Sequence, residues 1–75
     1  MRSGDRLVGA MLVGQFDARD AAGRVFPINE YQHAVSVPGS PPIITYELAS
    51  GEQVKHLGGD LFEVVSTGAE ITRVP

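Results

Sequence analysis

Two histidines, nine carboxylates and five serines are the side chains of this 75-residue chain best suited to act on a substrate. Nucleophilic catalysis needs a serine, threonine or cysteine held beside a base. Ser3, Ser36, Ser40, Ser50 and Ser66 all read as turn or strand-end residues, and no Gly-x-Ser-x-Gly elbow surrounds any of them. Gly4, Gly9 and Gly14 recur at five-residue intervals, yet Gln15 stands where a phosphate-cradling loop requires lysine. Strand bends explain that spacing better. Asp17 with Asp20, and Glu47 with Glu52, are the carboxylate pairs that glycoside chemistry would call on, but a domain this small rarely builds a cleft around them. The absence of cysteine excludes thiolate metal sites and disulfides. His33 and His56 together would leave a metal without a third ligand. No catalytic residue, metal site or cofactor is expected, and the chain reads as a non-enzyme.

Binding is a different matter. Tyr31, His33, Tyr46 and His56 are the candidate contact residues. Tyr31 and His33 share a strand face with Val35 and Val37, which makes His33 a core-edge residue satisfied by a backbone carbonyl or else a titrating contact at a surface. Aromatic groups on a small sheet can stack on bases or peptides, and Tyr31, Tyr46 and Phe26 are the ones expected to reach a surface. Phe16 and Phe62 are expected in the core. His56, beside Lys55 near a strand end, is expected to be exposed. Pro38 and Pro41 have the spacing of a polyproline ligand, but no arginine flanks them and Gly39 weakens the helix, so they read as a loop.

The elements that must position these residues are short strands. Glycine and proline punctuate the chain at roughly the spacing of strands joined by turns. Ile43–Ala49 alternates, with Ile44, Tyr46 and Leu48 opposed to Thr45 and Glu47. Ser50-Gly51, Gly58-Gly59-Asp60 and Thr67-Gly68 read as turns, so Ile43–Ala49, Glu52–Leu57, Leu61–Ser66 and Glu70–Val74 form a four-stranded antiparallel meander. Upstream, Arg24–Ile28 and Tyr31–Val37 read as strands. Pro27 cannot donate to a ladder and so points to an edge. Leu7–Asp17 reads as one long strand that bulges at Gly9 and Gly14. A helix over Leu7–Phe16 is the alternative, opposed by about 1 kcal/mol for each interior glycine. The expected fold is all-β: one domain over residues 1–75, a small SH3-like antiparallel barrel or strongly curled sheet of five to seven strands.

Leu7–Val13 is apolar on both faces, with Leu7, Met11 and Val13 on one and Val8, Ala10 and Leu12 on the other. A strand of a single-layer barrel keeps one face in water, so the second apolar face calls for a cover, either a loop or a partner copy. A chain this short also has little core of its own, which favours oligomerisation. A homodimer is therefore expected. The net charge is −3 and the six Lys and Arg residues are scattered, so nucleic acid is a disfavoured partner. Met1–Arg6 makes a poor secretory leader because Asp5 spoils its charge, and no apolar run is long enough to cross a membrane as a helix. A cytoplasmic location follows.

Tyr46-Glu47-Leu48-Ala49-Ser50-Gly51-Glu52-Gln53-Val54, followed by Leu61-Phe62-Glu63-Val64-Val65-Ser66-Thr67-Gly68-Ala69-Glu70-Ile71-Thr72-Arg73-Val74, resembles the C-terminal half of small uncharacterised bacterial proteins carried on accessory DNA such as plasmids and gene cassettes. Ser50-Gly51 stands here in place of that group's aspartate–glycine turn, and Ala69 is inserted before Glu70. The resemblance covers under half of the chain and implies a bacterial cytoplasmic setting, with no activity attached. A homo-oligomeric module that binds another protein is the leading expectation. A single-stranded nucleic-acid binder, or an enzyme whose site forms between subunits from His33, Tyr46 or Glu47, are the alternatives.

Overall fold

The computed structural model describes residues 7–35 and 39–75. Met1–Arg6, Ser36, Val37 and Pro38 lie outside the described residues, as do the side chains of Leu7, Val8 and Val35. Six strands make up the fold: β1 (Leu7–Arg19), β2 (Val25–Val35), β3 (Ile43–Leu48), β4 (Gln53–Gly58), β5 (Leu61–Val64) and β6 (Ala69–Arg73). Each pairs antiparallel with the next, and β6 returns to β1 to close a barrel. The expected C-terminal meander is present, with β5 ending at Val64, two residues earlier than its alternation suggested.

Residues 7–16 are strand, not helix. The glycines set the pattern: the β1–β2 register shifts between Leu7 and Gly9 and again between Leu12 and Gly14. At Gly14 a side chain would be crowded, since a Cβ there would sit 3.2 Å from the Glu30 carboxylate, which would have to move aside. The β1–β2 turn is built by Asp20, whose Oδ1 accepts from the backbone N–H of Ala22 and of Arg24, at 3.0 and 2.9 Å. Its Oδ2 accepts from Arg24 Nε at 2.8 Å.

Two expectations need correction. The expected strands Arg24–Ile28 and Tyr31–Val37 are joined in one continuous β2 as far as Val35, with Ser36 and Val37 outside the described residues, and Pro27 lies within it rather than on an edge. Pro27 is tolerated because its carbonyl accepts from Ala49 N on the β3 side, beyond the end of the ladder that starts at Ile28–Leu48. In an antiparallel strand a residue's N–H and C=O point to the same side. The missing donor therefore falls at the end of that ladder, where the bond from Ala49 N to Pro27 O is made and its reciprocal is forgone.

The core takes one or two residues from every strand: Ala18, Ile28, Leu48, Val54, Phe62, Val64 and Ile71 are all buried. Phe16, Phe26 and Tyr46 pack against them. This is a small core, and it fills only one part of the molecule. β6 pairs with β1 only at Ala18 and Arg19, and β4 pairs with β3 only at Tyr46 and Glu47. The remainder of β1, the second half of β2 and Ile43–Thr45 of β3 continue past the barrel as a three-stranded ribbon. The molecule measures 44 × 24 × 20 Å. A strand the length of β1 spans about 43 Å at ~3.3 Å per residue, so the ribbon sets the long axis.

Candidate functional site

The ladder register sorts the candidate residues onto two faces. Tyr31 pairs with Thr45 and His33 with Ile43, whereas Tyr46 pairs with Glu30. Opposed residues share a face and neighbours along a strand alternate. Tyr31 and His33 therefore lie on the outer face of the ribbon, and Tyr46 on the face that continues into the barrel.

On the outer face, the Tyr31 and His33 rings lie 6.5 Å apart, and His33 Nε2 is 2.6 Å from Thr45 Oγ1. His33 is thus satisfied by a side-chain hydroxyl and not by a backbone carbonyl. A hydroxyl can donate or accept, so Thr45 holds the ring in either tautomer. Leu12 is opposed to Tyr31 on β1, and Ala10 to His33, which gives this face an apolar border.

Tyr46 and His56 meet at the barrel mouth. His56 Nε2 donates to Gly59 O at 2.8 Å, which fixes its tautomer and lays the ring on Phe62, with centroids 4.7 Å apart. Tyr46 sits edge-on to Phe62 at 5.1 Å and to His56 at 5.8 Å. Phe16 completes the group 5.2 Å from Phe62, with the Arg73 guanidinium 4.4 Å above its ring. Partial burial pushes the Tyr46 hydroxyl above its ordinary value of 10.0, and the Glu30 charge adds to this while Arg73 opposes it. His56 is exposed, as expected, but it is pinned and stacked. Phe26 is half-buried against the core, with the Arg24 guanidinium 5.9 Å from its ring.

Glu30 and Arg73 are mouth residues that sequence reading passed over, and Phe16, expected in the core, packs against it partly buried. Arg73 was accessible by simple alternation, being two positions beyond the buried Ile71 and hence on the inner face. Glu30, two positions beyond the buried Ile28, was missed because Asn29-Glu30 read as a break between two strands and not as part of the continuous β2. Beside the mouth, β3 and β4 splay beyond Tyr46–Val54 and leave a cleft of about 420 Å³ lined by Ile44, Thr45, Tyr46, Val54, Lys55 and His56 among others.

The groups suspected of chemistry do not converge. His33 and Glu47 share the outer face, but Tyr46 points the other way. The Asp20 carboxylate is engaged by Arg24 and Ala22, and Glu52 accepts from Ser66 Oγ at 2.6 Å. Among the described residues, no three His, Asp or Glu side chains cluster as metal ligands. No helix is long and apolar enough to cross a membrane.

The ribbon carries the other notable feature. Met11, Leu12, Val13, Ile43 and Ile44 are between 41 and 68% exposed. The fold and these surfaces define a six-stranded antiparallel barrel with an apolar ribbon extending from it. No protein-family model, curated protein or solved structure matches the chain.

Proposed function

We propose that this chain is a non-enzymatic interaction module, an SH3-like barrel that self-associates through its ribbon and presents the Tyr31–His33 face to another protein. The observation that carries this reading is the apolar ribbon. Five large apolar side chains stand exposed on a segment that contributes nothing to the core. Patches of this kind mark interfaces on soluble proteins.

Magnitudes support association that depends on concentration. Full burial of a large apolar side chain is worth about 1.5–3 kcal/mol, and these five are roughly half exposed, so each copy holds on the order of 5 kcal/mol in reserve. Leu12 and Ile43 lie on one face of the ribbon and Met11 and Ile44 on the other, so a single interface releases only part of this, against an association cost of about 4–15 kcal/mol. The barrel mouth is a weaker candidate for the partner, because its rings already fill one another's faces and offer little stacking surface to a base. The acidic net charge of −3 also favours protein over nucleic acid. The resemblance of the C-terminal half to proteins of bacterial accessory DNA supports a cytoplasmic setting for this role.

Sedimentation equilibrium from micromolar to millimolar protein tests the reading. A dimer that dissociates on dilution is expected, and Met11→Lys is expected to give a monomer with an unchanged far-ultraviolet spectrum. A wild-type monomer at every concentration would count decisively against self-association. For the partner, pull-down with and without nuclease should retain the same captured protein. Capture that vanishes with nuclease would move the assignment to nucleic acid.

A further inference from the structure

We infer that the partner on the ribbon is a second copy of this chain, joined antiparallel along β1 with Ala10 on the two-fold axis. The inference rests on the self-association reading and specifies its geometry.

Three independent features of β1 lead to it. The first is an open, undefended edge. Beyond Asp17, whose carbonyl accepts from Val74 N, the outer edge of β1 pairs with nothing among the described residues. Soluble proteins blunt such edges with charge or proline. Leu7–Gln15 contains neither.

The second feature is the direction of the backbone groups. Asp17 O points to β6 and Pro27 O to β3, so the opposed pair Asp17–Pro27 exchanges no hydrogen bond across the β1–β2 ladder. The pattern then alternates along β2, which has no bulge of its own. Ile28, Glu30, Gln32 and Ala34 bond to β1, and Pro27, Asn29, Tyr31 and His33 face β3. Met11 and Gly9, opposed to Gln32 and Ala34, are therefore bonded to β2. Ala10 and Leu12, opposed to His33 and Tyr31, turn their N–H and C=O outward to the free edge. Ala10 is thus a residue through which two identical strands can exchange a symmetric pair of hydrogen bonds.

The third feature is shape. With Ala10 opposite its own copy, Met11 stands opposite Gly9 of the second chain and Gly9 opposite its Met11. Met11 is the most exposed large apolar residue among the described ones, at 68%. Nothing lies within 4 Å of the position a Gly9 Cβ would take, and a hollow of about 210 Å³ is lined by Gly9, Ala10, Met11, Gln32 and Ala34. This register sets each methionine against the other chain's hollow, and the two ribbons join into one six-stranded sheet. The Tyr31–His33 faces of both copies then lie on the same side of that sheet.

Because the chain has no cysteine, single thiols report the register directly. Hydrogen-bonded antiparallel partners have Cα atoms about 5.5 Å apart, inside the range a disulfide spans. Ala10→Cys should form a covalent dimer under mild oxidation. Leu12→Cys is the control: it is 48% exposed on the same edge, but its copy would lie about 14 Å away along the joined strands. It should stay uncrosslinked. Crosslinking of Leu12→Cys in preference to Ala10→Cys would overturn this register while sedimentation still showed a dimer. A dimer by sedimentation with neither variant crosslinked would overturn edge pairing along β1 and leave self-association standing. Monomers throughout would overturn both.

Discussion

Phe62 is the residue on which the barrel mouth depends, and its truncation gives the sharpest test of the packing. Its side chain is 2% exposed and touches three rings, those of Phe16, Tyr46 and His56, at centroid distances of 4.7–5.2 Å. Removing a buried phenylalanine to alanine costs about 3–5 kcal/mol, and the lost edge and stacking contacts place this case toward the upper end. A domain of this length has about 4–11 kcal/mol of total stability. Phe62→Ala should therefore consume much of the margin and lower the melting temperature by roughly 15–30 °C, since each kcal/mol shifts a domain of this size by about 4–8 °C. Phe62→Leu keeps most of the volume but no ring, and should cost about 1–2 kcal/mol. The assay is urea unfolding read by far-ultraviolet circular dichroism and by tyrosine fluorescence, which Tyr46 reports from beside Phe62 because the chain has no tryptophan. Protein concentration must be held fixed, since association adds to apparent stability. A Phe62→Ala cost below about 1 kcal/mol would refute the claim that this ring organises the mouth.

Gly58 adopts φ 137 at the β4–β5 irregularity, so Gly58→Ala should cost about 1–3 kcal/mol. Gly9→Ala, at a position with open space and no positive φ, should change stability by less than about 0.5 kcal/mol in matched denaturant titrations. Asp20 is partly desolvated, which raises its pKa, but the hydrogen bonds and charge of Arg24 and the N–H of Ala22 outweigh this and hold it below 3.8. A depressed carboxylate stabilises the fold above its unfolded pKa and loses that contribution as pH falls through the folded value. The stability gap between wild type and Asp20→Asn should thus be full at neutral pH and close in acid, as followed by unfolding at a series of pH values. Tyr46 has the opposite sense. Its raised pKa contributes stability present below 10.0 and lost as pH rises through the folded value, so alkaline unfolding should be blunted in Tyr46→Phe.

The C-terminal half was legible because its turns and its alternation agree. Gly51, Gly58, Gly59 and Gly68 all occupy positive φ at the turns where glycine was expected, and Leu48, Val54, Phe62, Val64 and Ile71 are the buried positions between them. Bulges limited the N-terminal half. Glycines at 9 and 14 announced a bend, but sequence does not say which residue becomes the extra one, and that choice decides which side chains oppose Glu30 and Tyr31 on β2. Val13 is the residue that the shift between Leu12 and Gly14 leaves without an opposite on β2. Pro27 misled for a related reason: its meaning depends on where the β3 ladder ends, a fact of tertiary pairing. The structure divides the four candidate contact residues: Tyr31 and His33 fall on the outer face of the ribbon, and Tyr46 and His56 at the barrel mouth. The β2–β3 register separates Tyr31 and His33 from Tyr46, and the pairing of His56 with Phe62 puts it beside Tyr46.

That division explains why so small a chain can carry a long, apolar strand. The barrel is closed through only Ala18 and Arg19 of β1, both near its C-terminal end, and the core takes from β1 only Ala18, with Phe16 packed against it. None of Gly9–Val13 takes part in the core. A residue that supports no core can be apolar on the surface only at a cost in solubility, unless a surface covers it. The bulge before Gly14 lies at the border between the two regimes, where a local increase in twist re-aims the ribbon relative to the barrel. Substitutions before the bulge should therefore change association with little effect on the barrel's own stability, and substitutions after it should do the reverse. The strand is one piece of backbone, but its two ends answer to different partners: the core at Ala18, and an outside surface at Met11.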